Sequence, residues 1–187
     1  FAILEAMGIE SLMDLSAALH TKKQLERFAQ QSGLPRDYLA VLRRRAGLYT
    51  PKPVPLKKMP GIPVDAVDRL AAIGIKDSKQ LFDRALTAAD RSALAAKGGV
   101  PDELLQELVK LSDLVRAPYV GPVFARLFYE AGTDTLAKLV ASDAEELCQR
   151  VRSTNDELKL TRANLPSAMD MAAGIDMYRM IPLVVEY

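Results

Sequence analysis

The sequence has few of the residues on which catalytic and metal sites depend. Among its 187 residues are one His, one Cys and no Trp. A Cys/His zinc site takes about four such ligands, so His20 and Cys148 cannot supply one. A Cys–His catalytic dyad would require the same two residues to meet from distant parts of the chain, and no Gly-Lys-Ser type phosphate loop is present. The sequence therefore predicts a protein that is not an enzyme and that needs no cofactor or metal. It implies no small-molecule substrate.

Disulfides and membrane spans are also excluded by what is missing. The lone Cys148 has no partner for an intrachain disulfide, which is typical of a reducing compartment. No stretch approaches the roughly 18–20 apolar residues of a membrane-spanning helix, and no segment resembles a cleaved secretory signal. We therefore expect a cytoplasmic protein without a membrane partner. Because the sequence begins at Phe1 and not at Met, we also expect further residues upstream in the native protein.

Helix signals run through the chain, and no strand-like alternation of useful length appears. Aromatic residues make up only 6% of the sequence, so the core must depend on aliphatic side chains such as Leu and Ala, which favour helices. Thr21, followed by Gln24, has the form of a capping box, in which each side chain satisfies a free amide at the helix start. Ser142 and Glu145 have the same spacing. Leucines line one helical face between residues 101 and 114. These patterns predict an all-α fold.

An internal repeat divides the chain into similar parts. At an offset of 66 residues and without gaps, residues 1–50 match residues 67–116 in pattern. The shared positions include a Gly-Ile pair, a Gly-hydrophobic-Pro step and several leucines. A third copy of the opening part lies over residues 125–139 at a further offset of 58, and the match ends after Leu139. A register kept over so long a span predicts a duplicated fold.

A proline-rich segment separates the first copy from the rest. Every second residue from Pro51 to Pro55 is proline, which prevents helix formation and favours an extended, semi-rigid spacer. The later copies lack such an insert. The sequence therefore predicts two lobes joined by a strap over 51–57. The first lobe is one helical unit over 1–50, and the second holds two more units and a C-terminal helix over 58–187.

Positive charge is concentrated in the first third of the chain, although the net charge is only +1. Residues 1–60 carry ten Lys or Arg and five Asp or Glu, whereas residues 61–187 carry fifteen and nineteen. Between Tyr38 and Val64, six cations are accompanied by no acidic residue: Arg43, Arg44, Arg45, Lys52, Lys57 and Lys58. Such a block is typical either of a phosphate-binding face or of a solvated face beside a linker, and both interpretations stay open here.

Two segments have the form of helix-hairpin-helix turns. LKKMPGIPVDAV (56–67) and LVRAPYVGPVFA (114–125) each read as a helix end, a tight hydrophobic turn and a new helix start. This pattern resembles the helix-hairpin-helix motif. More narrowly, residues 108–147 resemble an uncharacterised bacterial family of tandem helix-hairpin-helix proteins, of the domain-of-unknown-function 4332 type. The similarity covers most of 56–147 and, more weakly, 1–50. It implies tandem helical repeats of the SAM-like kind.

The resemblance also implies backbone contacts with phosphate at the two turns. In DNA-binding relatives of the motif, two glycines let the backbone pass close to a phosphate, which amides at the start of the next helix bind. The first glycine corresponds to Gly61 in one turn and to Tyr119 in the other. The second corresponds to Pro63 and Gly121, so each turn has lost one glycine, and Pro63 has no N–H to donate.

Two hypotheses for function follow, and both are non-catalytic binding roles. In the first, the protein binds DNA or other nucleic acids without sequence preference, through phosphate contacts that depend strongly on salt. The residues expected to make these contacts are Lys57, Lys58, Gly61, Ile62, Arg116, Tyr119, Val120 and Gly121, extended by Arg43, Arg44 and Arg45. In the second, the turns are only structural corners. The repeats then form a scaffold whose acidic second lobe or Met-bearing C-terminal helix binds a protein partner.

Overall fold

Helices and short connecting loops make up the fold. The computed structural model describes residues 2–49 and 52–187, and no β-strand forms within these two ranges, although Pro55 and Asp77 make one isolated bridge. The predicted all-α class is confirmed. No helix in the described ranges is both long enough and apolar enough to cross a membrane.

The chain divides into two compact units, with the boundary between Lys52 and Pro53. The helices described in the first unit are α1 (Ala2–Ala6), α2 (Leu12–Ala18), α3 (Lys22–Ser32) and α4 (Arg36–Tyr49). The second unit begins with a short 3₁₀ helix, Leu56–Lys58. It continues with α5 (Val64–Ala72), α6 (Ser78–Phe82), α7 (Ala88–Gly98), α8 (Asp102–Leu114), α9 (Pro122–Glu130), α10 (Leu136–Ala141), α11 (Ala144–Leu158) and α12 (Ala168–Tyr178).

The linker predicted over 51–57 is shorter than expected, because its last residues pack into the second unit. Leu56 is buried there, and its N–H donates to the carbonyl of Lys76 at 3.0 Å. The carbonyl of Val54 accepts a 2.8 Å hydrogen bond from the N–H of Ser78, whose hydroxyl accepts the Val54 N–H at 3.0 Å. The first residue of the predicted linker lies outside the described ranges. Leu56 follows the last of the alternating prolines, so the sequence pattern did not identify it as a core residue.

N-terminal caps define where several helices begin. Thr21 and Gln24 form the predicted capping box of α3, with each side chain accepting the other residue's N–H at 3.1 and 2.9 Å. The box predicted at Ser142 is wrong. Asp143 is the N-cap of α11, and its carboxylate accepts the N–H of Glu145 at 2.9 Å. A carboxylate suits the positive end of a helix better than a hydroxyl does, so the helix begins one residue later than the pattern suggested.

The helices recur at the offsets found in the sequence. Moving α3 by 66 residues gives the bounds of α7, and moving α5 by 58 residues gives the bounds of α9. Soon after each first helix comes a glycine with positive φ, and the next N–H donates to the carbonyl five residues earlier at 2.9 Å. These glycines are Gly8, Gly74 and Gly132. We refer to α1–α4, α5–α8 and α9–α12 as repeats one, two and three.

Repeat three keeps this plan but is longer after α10. Its α11 has 15 residues where α7 has 11, and the offset to repeat two rises from 58 at α9 to 66 at α12. Buried residues then recur along α8 and α12, which makes α12 the counterpart of α8. The matched buried pairs are Leu105 and Met171, Leu108 and Gly174, Val109 and Ile175, and Ser112 and Tyr178. The structure thus extends a sequence match that ended at Leu139.

The C-terminal residues pack along the second unit. The Tyr187 hydroxyl donates to the buried Asp113 carboxylate at 3.0 Å, and the N–H of Glu186 donates to the carbonyl of Leu86 at 3.0 Å. Burial raises the pKa of Tyr187, as does the neighbouring Asp113 charge, so the hydroxyl stays protonated and remains a donor. These hydrogen bonds make the last residues part of the unit, although their sequence carries no helix or strand signal.

Leucine dominates the two cores. In the second unit the fully buried leucines include Leu70, Leu81, Leu105, Leu108, Leu111, Leu114, Leu127 and Leu136. The first unit has a smaller core of Leu15, Leu19, Leu25, Phe28, Leu39 and Ala46. Because burial of one such side chain contributes about 1.5–3 kcal/mol, the larger cluster gives the second unit much more apolar stabilisation than the first unit has.

We expect Leu108→Ala to lower the free energy of unfolding by about 2–5 kcal/mol, because it leaves a cavity between packed helices. Leu108 has 0% of its surface exposed. Leu183→Ala is the matched control, since Leu183 is 56% exposed, and it should change stability by less than about 0.5 kcal/mol. Denaturant unfolding of both variants measures the difference, and equal losses would contradict this assignment of the core.

Candidate functional site

Two tight turns lead into α5 and α9, where the sequence predicts hairpins. We call residues 59–63 the first turn and residues 117–121 the second turn. Gly61 and Tyr119, which are 58 residues apart, both have left-handed backbone, with φ of +80° and +66°. Gly121 has φ of −83°, a value open to any residue. The resemblance implied that Gly61 and Tyr119 occupy equivalent positions, and the two residues share a backbone conformation.

Gly61 is required by packing inside the second unit. A Cβ at this position would lie 3.0 Å from Nη2 of Arg126. Arg126 is buried, and its Nε donates to the carbonyl of Pro60 at 2.8 Å. Its Nη2 and Nη1 donate to the carboxylates of Glu107 and Glu130 at 2.5 and 3.0 Å. On the side where a Cβ would project, the first turn therefore contacts a guanidinium of its own chain.

Exposed cations gather beside the first turn. Lys57 and Lys58 lie on the 3₁₀ helix that leads into it, and the backbone hydrogen bond from Leu56 brings Lys76 to the same edge. Arg84 lies close to Gly74 in the turn between α5 and α6, and Lys76 follows that glycine in the same turn. None of these cations forms an ion pair with another described residue. We call Lys57, Lys58, Lys76 and Arg84 the basic edge.

A backbone N–H group of the first turn is available beside the basic edge. That of Gly61 has no acceptor among the described residues, whereas that of Ile62 closes the turn over residues 60 and 61, and Pro63 has no N–H. Free amides next to lysines are an arrangement that binds phosphate. The nearest carboxylate at the start of α5 is Asp65, and Arg69 pairs with it at 2.9 Å, which reduces its repulsion of an anion.

Arg116 is held by internal contacts and does not belong to the basic edge. Its Nη1 donates to the carboxylate of Asp113 and its Nη2 to the carbonyl of Pro182, both at 2.7 Å. The guanidinium also stacks over the ring of Phe82, with 4.3 Å between Cζ and the ring centroid. With its donors occupied in this way, Arg116 has little left to offer a phosphate.

The second turn presents a different surface from the first. Tyr119 is 68% exposed, Val120 is buried and Gly121 is half-buried. Pro122 occupies the first position of α9, so the helix start lacks one amide donor. Among the residues placed at this turn by the first hypothesis, the one cation is Arg116, which is already bonded. The second turn therefore lacks the charge that the first turn has.

An apolar groove lies between the second turn and α12. It has a volume of about 330 Å³ and a single charged lining residue, Asp170. Its walls include Tyr119, Phe124, Phe128, Met171, Met177 and Tyr178. The methionines on this wall fit varied apolar shapes, because their side chains are unbranched and flexible.

Arg43, Arg44 and Arg45 lie on α4 in the first unit. All three are exposed, and none forms an ion pair with another described residue. Tyr38 and Val41 on the same helix are also partly exposed. α4 therefore carries a second run of cations without ion pairs to described residues, and it belongs to the first unit.

The two residues considered for catalysis lie in ordinary environments. His20 is exposed after α2. Cys148 is buried on α11, where its sulfur lies 3.2 Å from Nε of Arg152 and 3.5 Å from the carbonyl of Pro166. No group of three His, Cys, Asp or Glu side chains converges as a metal site within residues 2–49 and 52–187.

Sequence reasoning missed Lys76 and Arg84 because acidic neighbours cancel them in a count of charges. Those neighbours are already engaged. Asp77 caps α6 by accepting the N–H of Gln80 at 2.9 Å, and Asp83 pairs with Lys79 at 2.5 Å. The capping spacing and the i, i+4 spacing were readable signals that these carboxylates would be occupied.

A comparison with family models places a known domain over most of the second unit. The model described as "Domain of unknown function (DUF4332)" matches residues 60–175. No curated protein and no solved structure matches the chain. The matched region runs from the second residue of the first turn into α12. It therefore contains nearly all of the first turn, the whole second turn and nearly the whole groove lining.

We expect opposite effects from substitutions at the two left-handed positions. Gly61→Ala should lower the free energy of unfolding by at least about 1 kcal/mol, because a Cβ strains this backbone and crowds Arg126. Tyr119→Gly should raise it by up to about 1 kcal/mol, because it relieves strain at an exposed residue. Chemical denaturation measures both. Losses of equal size would contradict the conformations assigned here.

Proposed function

Because the chain belongs to the DUF4332 family, a domain family of unknown function, we propose a function from its own surface: binding of nucleic acid through phosphate contacts at the first turn. In this proposal the repeats are helix-hairpin-helix units, and the first turn keeps the binding role of that motif. The role is non-catalytic. It is exercised in the cytoplasm, which the single cysteine supports.

The basic edge is the observation that carries this proposal. Lys57, Lys58 and Lys76 are exposed and free of ion pairs with described residues, and Arg84 adds a fourth such charge. Cations without acidic partners leave a local positive potential, which attracts a polyanion. The nearby carboxylates do not neutralise it, since Asp77 and Asp83 are bonded elsewhere.

The first turn supplies the second part of a phosphate site. The N–H of Gly61 has no acceptor among the described residues and follows Lys57 and Lys58 closely in the chain. A phosphate oxygen would accept from this amide while the ammonium groups neutralise its charge. The exposed Arg43–Arg45 run on α4 gives the first unit a phosphate-binding surface of its own.

Contacts of this kind read the backbone and not the bases. Lysines and amides hydrogen-bond phosphate oxygens that are the same at every nucleotide, so we expect no sequence preference. Binding releases condensed counterions, and its affinity therefore falls steeply with salt. The second turn has no part in this proposal, because Tyr119 and Pro122 stand where glycine and an amide donor would be needed.

We expect the double variant Lys57→Ala/Lys58→Ala to weaken binding to duplex DNA at low salt. The slope of log affinity against log salt should become shallower by about two, one for each lost phosphate contact. Fluorescence anisotropy of labelled duplex DNA, titrated at several salt concentrations, measures both quantities.

The matched control is Lys22→Ala/Lys23→Ala, which removes the same charge from two adjacent exposed lysines on α3. It should leave affinity and salt slope close to those of the unmodified chain. The proposal fails if the chain does not bind DNA even at low salt, or if the two double variants weaken binding equally.

A protein-interaction role is the second candidate, and the apolar groove beside the second turn favours it. The groove combines aromatic and methionine side chains with a turn that has no free cation. Concave apolar surfaces of this kind bind side chains of partner proteins.

A further inference from the structure

The contact between repeats two and three shows how one repeat packs on the next. The first turn and α8 form a face, and α9 lies against it. Arg126 on α9 donates to the carbonyl of Pro60 in the first turn and to the carboxylate of Glu107 on α8. The surface made by a turn and the fourth helix of one repeat therefore receives the first helix of the next.

The apolar groove is the same face on repeat three. It is formed by the second turn, which corresponds to the first turn, and by α12, which corresponds to α8. Tyr119 stands at the position of Gly61, and Ala173 stands at the position of Glu107. Within the second unit no described residue covers this face, and the groove is its exposed surface.

The first helix of repeat one, α1, has an exposed outer side among the described residues of the first unit. α1 buries none of its residues, whereas α5 and α9 bury three and four. Ile3, which corresponds to the fully buried Leu127 of α9, is 48% exposed. Leu4 packs on the core of the first unit, which leaves Ile3 and its neighbours available.

The side chains of α1 and the groove are complementary in size. Where α9 brings Arg126 to a glycine and a glutamate, α1 has Ala2. The groove has the bulky Tyr119 and the small Ala173 at the corresponding positions. At the turn, a large residue therefore faces a small one in both cases, with the sides exchanged. At the helix position, Ala2 and Ala173 replace the charged pair of Arg126 and Glu107, so neither surface would bury an unpaired charge.

We propose that the groove of repeat three binds α1 of a second copy of this chain, so that copies associate head to tail. The inference deepens the second candidate function and is independent of the nucleic-acid proposal. Ile3 enters between Tyr119 and Met177, and Tyr119 covers it. The left-handed backbone at Tyr119 is then the cost of placing an aromatic ring at the rim of the groove. Because the two contacting surfaces differ, the contact need not close, and each added copy exposes a new groove.

Complementary variants test this arrangement in the absence of nucleic acid. Ile3→Asp removes the α1 side and leaves the groove, whereas Tyr119→Asp removes the groove side and leaves α1. Asp is tolerated in left-handed backbone, and Met177→Lys serves as a second groove variant should Tyr119→Asp fail to fold. Val64→Asp is the matched control, since Val64 is 74% exposed on α5 outside both surfaces. Circular dichroism confirms the fold of each variant.

Sedimentation velocity over a range of concentrations gives the readout. We expect the unmodified chain and Val64→Asp to associate, and each of the other variants alone to raise the dissociation constant at least about tenfold. An equal mixture of Ile3→Asp and a groove variant should form a dimer and stop there, since one intact contact remains.

Three outcomes would overturn the inference. The chain could stay monomeric at about millimolar concentration, where even a contact of about 4 kcal/mol would be visible. Ile3→Asp could associate as well as the unmodified chain, which would mean that α1 is not part of the contact. The mixture could remain monomeric. Lys57→Ala/Lys58→Ala should associate normally, so failure of the nucleic-acid proposal and failure of self-association are separately visible.

Discussion

The buried guanidinium of Arg126 is the interaction on which the second unit depends. It is bonded to the carbonyl of Pro60 and to two carboxylates, so one side chain joins the first turn, α8 and α9. A buried charge is tolerated only when its donors are matched, and here each of three nitrogens has an acceptor. The glycine at position 61 follows from this requirement, since a Cβ would crowd the same guanidinium. One buried guanidinium thereby fixes how two repeats pack and which residue the turn can hold.

Duplication has produced the same backbone three times while the side chains have diverged. The glycine after each first helix and the left-handed residue in each turn keep one geometry, which local sequence and hydrogen bonds determine. What each repeat offers to solvent differs. The first turn carries lysines and one free amide, the second carries an exposed tyrosine beside an apolar groove, and α4 carries three arginines. A shared fold therefore says little about function here, and the surface of each repeat has to be considered separately.

Local signals allowed much of the fold to be predicted, and long-range contacts account for most of what was missed. Helical spacing, capping residues and the 66-residue offset act over short stretches, and they correctly predicted an all-α chain and the start of α3. The assignment of Arg116 to a phosphate site followed from its place next to a turn, but Pro182 and Phe82 bind it from distant parts of the chain. Leu56 was hidden among prolines for the same reason, because its partner at Lys76 is twenty residues away. The Met-bearing C-terminal helix was predicted as a partner surface, but the groove it forms with the second turn was not, since α12 is placed there by an offset that changes within repeat three.

The last residues of the chain constrain its evolution. Tyr187 shares the carboxylate of Asp113 with Arg116 and with the N–H of Leu136, and Arg116 in turn bonds the carbonyl of Pro182. A mutation that removes the side chain of Asp113, Arg116 or Tyr187 leaves a donor or acceptor of this cluster without its partner. The side chain of Tyr187 therefore cannot vary freely, although neighbours such as Leu183 can. Its substitutions should be accepted together with changes at Asp113 on α8, so in a set of diverged descendants the two positions should vary as a linked pair.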